Sequence, residues 1–491
     1  MKMKDLLRET GIIPMSALAD KEVTGIAYDS REVSSGFLFV AIKGFSTDGH
    51  NFIDKALASG AVAVIAERQV PVQGMEIENP SLILINPSGN NRDILAEVSA
   101  AFYENPWEQM KTVGITGTNG KTSTAHILRW IMEIEGIHTG IMGTVGHVAG
   151  GQAIEASVTT PDSLEVAKYM RKMISCGDQT CVMEVSSHAL ALSRVSNVTF
   201  DVTLFTNISQ DHLDFHSTMD DYLDAKKKLF ELTKLNGAKI VGTYAPGWPK
   251  IKGAITFGER ACDTYRIKDI SVGLSGSIFT LCRLEREITV SVKAPGRFNV
   301  YNAAGAIAVA VELGIDIDRA VRAVCTFPGV PGRMERVDCG QKFLVAVDYA
   351  HTPDALERVL KQGAILAENN LIAVFGCGGD RDSRKRPLMG RIAAEYADHV
   401  FVTSDNPRTE NPVKIIQDIL VGIPEECNPV VEENRAEAIR MAIQKASDGD
   451  VVIIAGKGHE NYQILGKEKI HFDDRERAGE ALADRGYKCV H

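Results

Sequence analysis

The chain has 491 residues, too many for one hydrophobic core, and at roughly 150 residues per domain the expectation is about three domains. Its 44% hydrophobic, 24% charged and 6% aromatic content is that of a globular α/β protein. A net charge of -10 and a pI near 5.7 argue against general binding to nucleic acid or anionic membranes, so an anionic small substrate must be met by local cations.

No basic-then-apolar leader opens the sequence and no apolar run approaches the ~18 residues of a membrane span, which predicts a cytoplasmic protein. Nine cysteines scattered without a C-x-x-C pair predict reduced thiols, with neither a disulfide frame nor a zinc site. Residues 1 to about 109 alternate short apolar runs, Gly36 to Ala41 and Ala61 to Ala66 among them, with turns and helix-like stretches, and read as a small α/β unit. Asn105-Pro106-Trp107 punctuates its end.

The strand-like Thr112 to Thr116 then runs into Gly117-Thr118-Asn119-Gly120-Lys121-Thr122 and a helix-like segment. That context makes a phosphate cradle: glycines turn backbone N–H groups toward an anion, the lysine supplies a point charge, and the last threonine offers a hydroxyl to Mg²⁺. Ile115 stands where the usual spacing has glycine, so on this run alone an ordinary Gly-rich turn remains open. Cys181 to His188 reads as a strand that delivers Glu184 to the place where such a protein holds its metal, the alternative being a solvated strand end or helix cap. Thr206 to His216 packs amide, carboxylate and imidazole groups into eleven residues, with His212 either a metal ligand or structural.

In the next helix Lys226 falls four residues after Tyr222 and four before Phe230, on the face those aromatics turn inward, while Lys227 and Lys228 read as a solvated face. An inward lysine beside metals and phosphates has a lowered pKa and can react, for instance with CO2. This larger α/β stretch, about 110 to 333, ends after Pro295 to Asn299 and an Ala-rich helix over 302–313. The last third repeats strand, polar turn and helix four times, with strands at Phe343 to Val347, Leu371 to Phe375, Val400 to Thr403 and Val451 to Ala455. Such alternation predicts a parallel, doubly wound sheet with ligands beyond the carboxyl ends of its strands.

GTNGKT at 117–122, TTPD at 159–162, EVSSHAL from 184, FTNISQDHLDFH from 205, the tyrosine-alanine-lysine helix and GRFNVYN at 296–302 resemble the ATP-dependent Mur ligases, over about residues 29 to 474. The resemblance implies three α/β domains: a small N-terminal UDP-substrate-binding unit, 1–109, a central P-loop ATPase-like domain, 110–333, and a C-terminal Rossmann-like doubly wound domain that binds an amino acid, 334–491. It implies a monomer that works on small molecules in peptidoglycan synthesis, with ATP, two Mg²⁺ and a CO2-derived carbamate on Lys226.

Position by position, it implies that Gly117, Thr118, Asn119, Gly120, Lys121 and Thr122 cradle the triphosphate, with Asn302 at the adenine and Arg333 and Asp348 closing over ATP. Thr122, Glu184, His212 and the Lys226 carbamate would hold the metals, and Lys121, Lys226 and His212 would carry catalysis. Ser30, Phe45, Ser46 and Thr47 would meet UDP, and Thr159, Thr160, Ser186 and Arg194 the muramoyl peptide. Arg381, Asp405, Asn406, Pro407, Arg408, Gly456 and Glu460 would meet the incoming amino acid.

The reaction implied is amide formation through an acyl phosphate. A guanidinium fork pairs with a carboxylate, so Arg408 implies meso-diaminopimelate, which carries one distal carboxylate more than lysine. The alternatives are an L-lysine-adding form of the same ligase, and folylpolyglutamate synthetase, against which the DNPR turn at 405–408 and the UDP-type N-terminal unit speak. The family form often has an acidic residue where this chain has Asn411. A non-catalytic nucleotide-binding regulator should have lost Lys226, His212 or Glu184, and all three are present.

Overall fold

The computed structural model describes residues 1–44, 47–68, 82–86, 88–156, 158–212 and 215–489, so Phe45 and Ser46, expected at the UDP site, lie outside the described residues. Two compact units make up the chain: Met1–Arg266 with Gly305–Ala320, and Ile267–Ala304 with Val321–His491.

In the first unit, β1 (Gly25–Ala27), β2 (Phe37–Val40), β3 (Ala63–Ala66) and β4 (Ile83–Ile85) pair in chain order as a parallel sheet. Apolar clusters cover both faces, one including Leu38, Val40, Ile94 and Val98, the other Phe39, Ile53 and Val64. Burial on two sides is why these strands read as continuous apolar runs instead of alternating ones. Leu164, from the helix Ser163–Ser175, packs into the first cluster and anchors that helix to the N-terminal sheet.

The unit's larger sheet contains β5 (Lys111–Thr116), β6 (Thr139–Gly143), β7 (Gly146–Ala149), β8 (Gln152–Ile154), β9 (Thr180–Glu184), β10 (Phe200–Phe205), β11 (Thr233–Gly242) and β12 (Ile255–Gly258), in the order β12-β11-β10-β5-β9-β6-β7-β8. Pairing is parallel from β12 to β6 and antiparallel through β7 and β8. Because β10 and β9 flank β5, the carboxyl ends at Phe205, Thr116 and Glu184 lie side by side. That is the switch point where an open α/β sheet binds ligands. Tyr265 and Arg266, the first residues of β13 (Tyr265–Gly273), pair with Phe257 and Gly258 of β12.

In the second unit β14 (Gly276–Arg283) and β15 (Arg286–Val292) form an antiparallel hairpin. After it come β16 (Glu335–Arg336), β17 (Leu344–Asp348), β18 (Leu371–Phe375), β19 (His399–Val402), β20 (Val430–Val431) and β21 (Val451–Ala455), in the order β16-β17-β21-β18-β19-β20 with only β16 antiparallel. Helices Pro353–Leu366, Lys385–Tyr396 and Pro412–Leu420 bury one face, and Arg435–Lys445 and Asp474–Asp484 the other. This is the doubly wound sheet the sequence predicts, and each of its four predicted strands falls within a residue of the observed one. A last hairpin, β22 (Tyr462–Leu465) and β23 (Glu468–His471), stands apart from the sheet.

One expectation is corrected. Cys339 and Cys489 are joined as a disulfide, while the other seven cysteines are free. Both pack against the apolar cluster that includes Phe343 and Leu482, so the fold brings together two residues 150 positions apart, which no local spacing could pair. No helix among the described residues is long and apolar enough to cross a membrane.

Candidate functional site

The cradle forms because the chain must turn sharply between β5 and the helix Lys121–Ile134. Gly117 takes φ +138°, and a Cβ there would collide with Thr206 Oγ1, so only glycine fits. The loop is laced to the end of β10: Thr118 N donates to the Asn207 carbonyl at 2.8 Å, Asn119 N to Asn207 Oδ1 at 3.1 Å, and Thr206 Oγ1 to the Asn119 carbonyl at 2.6 Å. Lys121 Nζ lies over the loop, donating to the carbonyls of Gly117 and Thr118 at 2.9 and 3.0 Å. Gly120 is the N-cap of a fourteen-residue helix, whose first turn adds N–H groups without partners inside the helix and a positive dipole end.

Glu184, fully buried at the end of β9, accepts from Thr122 Oγ1 at 2.8 Å, from Thr144 N at 2.9 Å and from Thr144 Oγ1 at 3.2 Å. A hydroxyl and a carboxylate drawn together beside a phosphate cradle are hard oxygen donors that fit Mg²⁺. Thr144, which sequence reasoning missed, also meets Thr159, Oγ1 to Oγ1 at 3.1 Å. His212 joins a different group, its ring edge-on to His188 at 4.8 Å and to Tyr222 at 6.1 Å. Among the described residues no three His, Cys, Asp or Glu side chains converge as a metal cluster.

Lys226 is turned inward as predicted. The helix Met219–Glu231 buries Tyr222, Ala225, Lys226, Leu229 and Phe230, while Lys227 pairs with Asp224 at 2.8 Å and Lys228 is exposed. Lys226 Nζ donates to the Gly117 carbonyl at 2.8 Å and lies 4.4 Å from the centre of the Tyr222 ring. Tyr222 in turn shares a hydrogen bond of 3.1 Å with Thr118 of the cradle. Burial above all, then the Lys121 ammonium, holds the Lys226 amine well below its ordinary pKa, with Asp211 pulling the other way.

A cavity of about 530 Å³ lies between the N-terminal sheet and the start of the helix Ser163–Ser175. It collects Ser30, Thr47 and Arg194, three of the residues expected at the UDP-muramoyl peptide, with Tyr28, Arg92 and Asp162. Arg194 Nη1 donates to the Thr160 carbonyl at 2.8 Å, and its Nε lies 3.1 Å from Asp162 Oδ1. Thr160 Oγ1 donates to the Glu184 carbonyl at 2.8 Å, and the Ser186 side chain caps the helix Ser187–Ala191 through Ala189 N. Thr160, Ser186 and Arg194 therefore form one hydrogen-bonded run behind Glu184.

The second unit gathers its expected residues at the carboxyl ends of β17, β18, β19 and β21. Asp348 accepts from Met334 N at 2.8 Å and Ala350 N at 2.9 Å, and burial pushes its carboxyl up against the opposing pull of Arg333. Asn302 is buried on the helix Arg297–Glu312, 3.4 Å from Asn299 Oδ1. Asp405 and Asn406 are buried, and Arg408, after Pro407, takes φ +51°. That unfavourable backbone is held by β22, through Arg408 N to the Ile464 carbonyl and Gly466 N to the Arg408 carbonyl.

Arg408 Nη1 donates to the Gly379 carbonyl at 2.9 Å. A Cβ at Gly378 would lie 2.9 Å from Arg408 Nη1 and 3.9 Å from Arg381 Cγ, so the two arginines flank one glycine; Arg381 itself is exposed. A Cβ at Gly456 would meet Asp405 Oδ2 at 2.5 Å. Asn406 Nδ2 donates to Glu460 Oε2 at 3.0 Å, and the fully buried Lys457 donates to both, at 3.1 Å to Asn406 Oδ1 and 3.3 Å to Glu460 Oε2. Lys457 joins this network although no motif in the sequence singled it out from the polar turn after β21.

The description Mur ligase middle domain matches residues 115–310, Mur ligase, glutamate ligase domain matches 332–458, and Mur ligase family, catalytic domain matches 22–103. A UDP-N-acetylmuramoyl-L-alanyl-D-glutamate--2,6-diaminopimelate ligase from Syntrophomonas wolfei subsp. wolfei is 43% identical over 491 residues, covering 98% of this chain and 99% of that protein. A protein of the same name from Trichormus variabilis is 43% identical over 498 residues, covering 99% of each. A solved structure of a ligase of that name is 30% identical, with a TM-score of 0.68 and 99% of each chain covered.

Beside the cavity, Glu165 accepts from the Tyr28 hydroxyl at 3.0 Å. Burial pushes its carboxyl from 4.5 up to about 7, the Tyr28 hydrogen bond opposing and Asp162 adding to the shift. Between those values the folded chain keeps a proton that the unfolded chain has lost, so stability falls as pH rises from about 4.5 to about 7 and stays lower above. Glu165→Gln removes that penalty, and relative to the parent should gain up to about 3 kcal/mol at pH 8 and almost nothing at pH 4. Denaturation midpoints across that range read the difference, and a gain independent of pH would refute the assignment.

Proposed function

The chain belongs to the Mur ligase family, and we propose that it joins meso-diaminopimelate to the D-glutamate of UDP-N-acetylmuramoyl-L-alanyl-D-glutamate, splitting ATP to ADP and phosphate, in peptidoglycan synthesis. Relatives carrying that name match almost the whole chain. The observation that carries the reading is Lys226, a buried amine bonded to the Gly117 carbonyl of the phosphate cradle. A lysine on the surface would stay protonated and inert. The reading also carries a cytoplasmic monomer with three working segments: 1–109 for the UDP substrate, 110–333 for ATP, and 334–491 for the amino acid.

In the first step an oxygen of the D-glutamate side-chain carboxylate attacks the γ-phosphorus and ADP leaves, giving an acyl phosphate. In the second, the amine of the incoming amino acid attacks the acyl carbon, phosphate leaves and the amine gives up a proton. The first two reactants are both anions, so repulsion must be offset in a site poor in water. Lys121 supplies one fixed cation, and the N–H groups in the first turn of the helix Lys121–Ile134 supply aligned dipoles. Thr122 and Glu184 would hold a Mg²⁺, which would add positive charge against the transferring group. A Lys226 amine without its proton adds to CO2 with release of one proton, giving an anionic carbamate that would offer a second Mg²⁺ an oxygen ligand, while His212 would help Thr122 and Glu184 hold the first. Asn302, Arg333 and Asp348 take the adenine and the outer side of ATP.

Ser30, Thr47, Thr159, Thr160, Ser186 and Arg194 bind the UDP-muramoyl peptide. Asp405, Asn406, Gly456 and Glu460 receive the polar head of the amino acid, and Arg381 and Arg408 its carboxylates. Accepting lysine would enclose the Arg408 guanidinium without its partner, a cost on the order of 3 to 5 kcal/mol.

Purified protein given ATP, Mg²⁺ and the UDP-dipeptide should release phosphate with meso-diaminopimelate at a rate at least a hundredfold above that with L-lysine, on the order set by that cost. No release with either amino acid sinks the reading, and equal rates sink its specificity. Lys226→Ala should lose turnover by about a thousandfold or more while ATP affinity, read by calorimetry, changes little; unchanged activity would refute the carbamate. Arg408→Ala should raise the KM for meso-diaminopimelate about a hundredfold and leave the KM for ATP nearly untouched, whereas an equal rise in both would deny Arg408 a substrate-reading role.

A further inference from the structure

The helix Ser163–Ser175 opens with Asp162 at its N-cap and Glu165 three residues on, the pattern of a capping box, whose side chains ordinarily satisfy the N–H groups of the first turn. Asp162 has an extended N-cap backbone, φ -68° and ψ 160°, yet its side chain caps nothing. Both of its oxygens are engaged elsewhere: Oδ2 lies 3.3 Å from the Tyr28 hydroxyl, whose one proton it shares with Glu165, and Oδ1 faces Arg194 Nε at 3.1 Å. Glu165 also turns to Tyr28. The helix thus forgoes its cap in favour of two contacts made far away in sequence, one at 134 residues.

Those contacts converge on one place, since Tyr28, Asp162 and Arg194 all line the 530 Å³ cavity together with Ser30 and Thr47. Arg194 is held on two sides, by a hydrogen bond from Nη1 to the Thr160 carbonyl and by its ion pair with Asp162, 3.1 Å from Nε to Oδ1 and not aligned as a hydrogen bond, which leaves the guanidinium's other N–H groups as the donors the cavity can use. An arginine without such restraint must be ordered by its ligand and loses affinity in doing so. We propose that Asp162 is a positioning residue for substrate binding: braced by Tyr28, it fixes the Arg194 guanidinium in the cavity for the anionic UDP-muramoyl peptide. Its own negative charge does not make the cavity acidic, because Arg31, Lys55 and Arg92 line it too.

The proposal rests on the UDP-muramoyl peptide as substrate, and the test separates the two. Asp162→Asn keeps the shape, and because the Asp162 side chain caps nothing the helix loses no cap, so the fold is retained. In the full-length enzyme it should raise the KM for the UDP-dipeptide, and the Kd measured by calorimetry, about tenfold or more, while kcat and the KM for ATP stay within about twofold. Tyr28→Phe, which removes only the hydroxyl, should move the same two constants in the same direction by a smaller factor. An Asp162→Asn enzyme that binds the UDP-dipeptide as tightly as the parent overturns the proposal, and so does an equal rise in the KM for ATP, which marks a merely structural role. A parent that binds the UDP-dipeptide but releases no phosphate overturns the reaction and leaves the positioning role to the binding comparison. A parent that does not bind it overturns both.

Discussion

The first unit is organised around a lysine amine buried away from solvent. Lys226 reaches the Gly117 carbonyl from a helix that comes after β10, and Gly117 is the residue that lets the cradle turn. The same few atoms therefore serve two ends: the loop is shaped to receive phosphate, and its back is closed by a base-like nitrogen. Desolvation is the larger cause of the lowered pKa, and the nearby Lys121 charge adds to it. Phosphate binding and amine chemistry thus share one electrostatic setting, and a change in either residue alters the other.

The second unit solves a different problem, which is to hold polar residues still at the ends of strands. Arg435, fully buried, pairs with the equally buried Asp474 at 2.6 Å and donates to the carbonyls of Ser404 and Ala455, so it joins the ends of β19 and β21. Such a pair adds little stability, because desolvating two charges offsets most of their attraction. What it gives is a fixed origin for the 405–408 turn. On the far side Arg386 binds Glu410 and Asp418, both at 2.8 Å, and Glu410 accepts from Asp380 N. The strained Arg408 backbone therefore hangs from a turn tied at both ends and along β22.

Much of this was legible in the sequence. Local patterns carried the four C-terminal strands, the cradle and the inward Lys226, because strand burial, helix periodicity and glycine turns are properties of neighbours in the chain. What was not legible are partnerships made by the fold. Thr144 has no motif around it, yet it donates twice to Glu184. Tyr28 meets Glu165 across 137 residues, and Cys339 meets Cys489 across 150. The capping box at Asp162 shows the limit most sharply: the local signal is correct about where the helix begins and wrong about what its side chains do, because tertiary contacts take them.

An acidic protein that handles anions must hold its cations in place without neutralising them, and the described contacts show one way this is done. Lys121 donates to the carbonyls of Gly117 and Thr118, Arg408 to that of Gly379 and Arg194 to that of Thr160. A carbonyl fixes direction as well as a carboxylate does, but leaves a full positive charge to meet the substrate. Arg194 is also paired with an acid, Asp162, and it stands in the cavity that Arg31, Lys55 and Arg92 line as well. Where positioning needs a carboxylate, surplus cations restore the sign of the site. With an overall charge of -10, attraction of anions depends on this local arrangement, because a field from the whole protein would repel them.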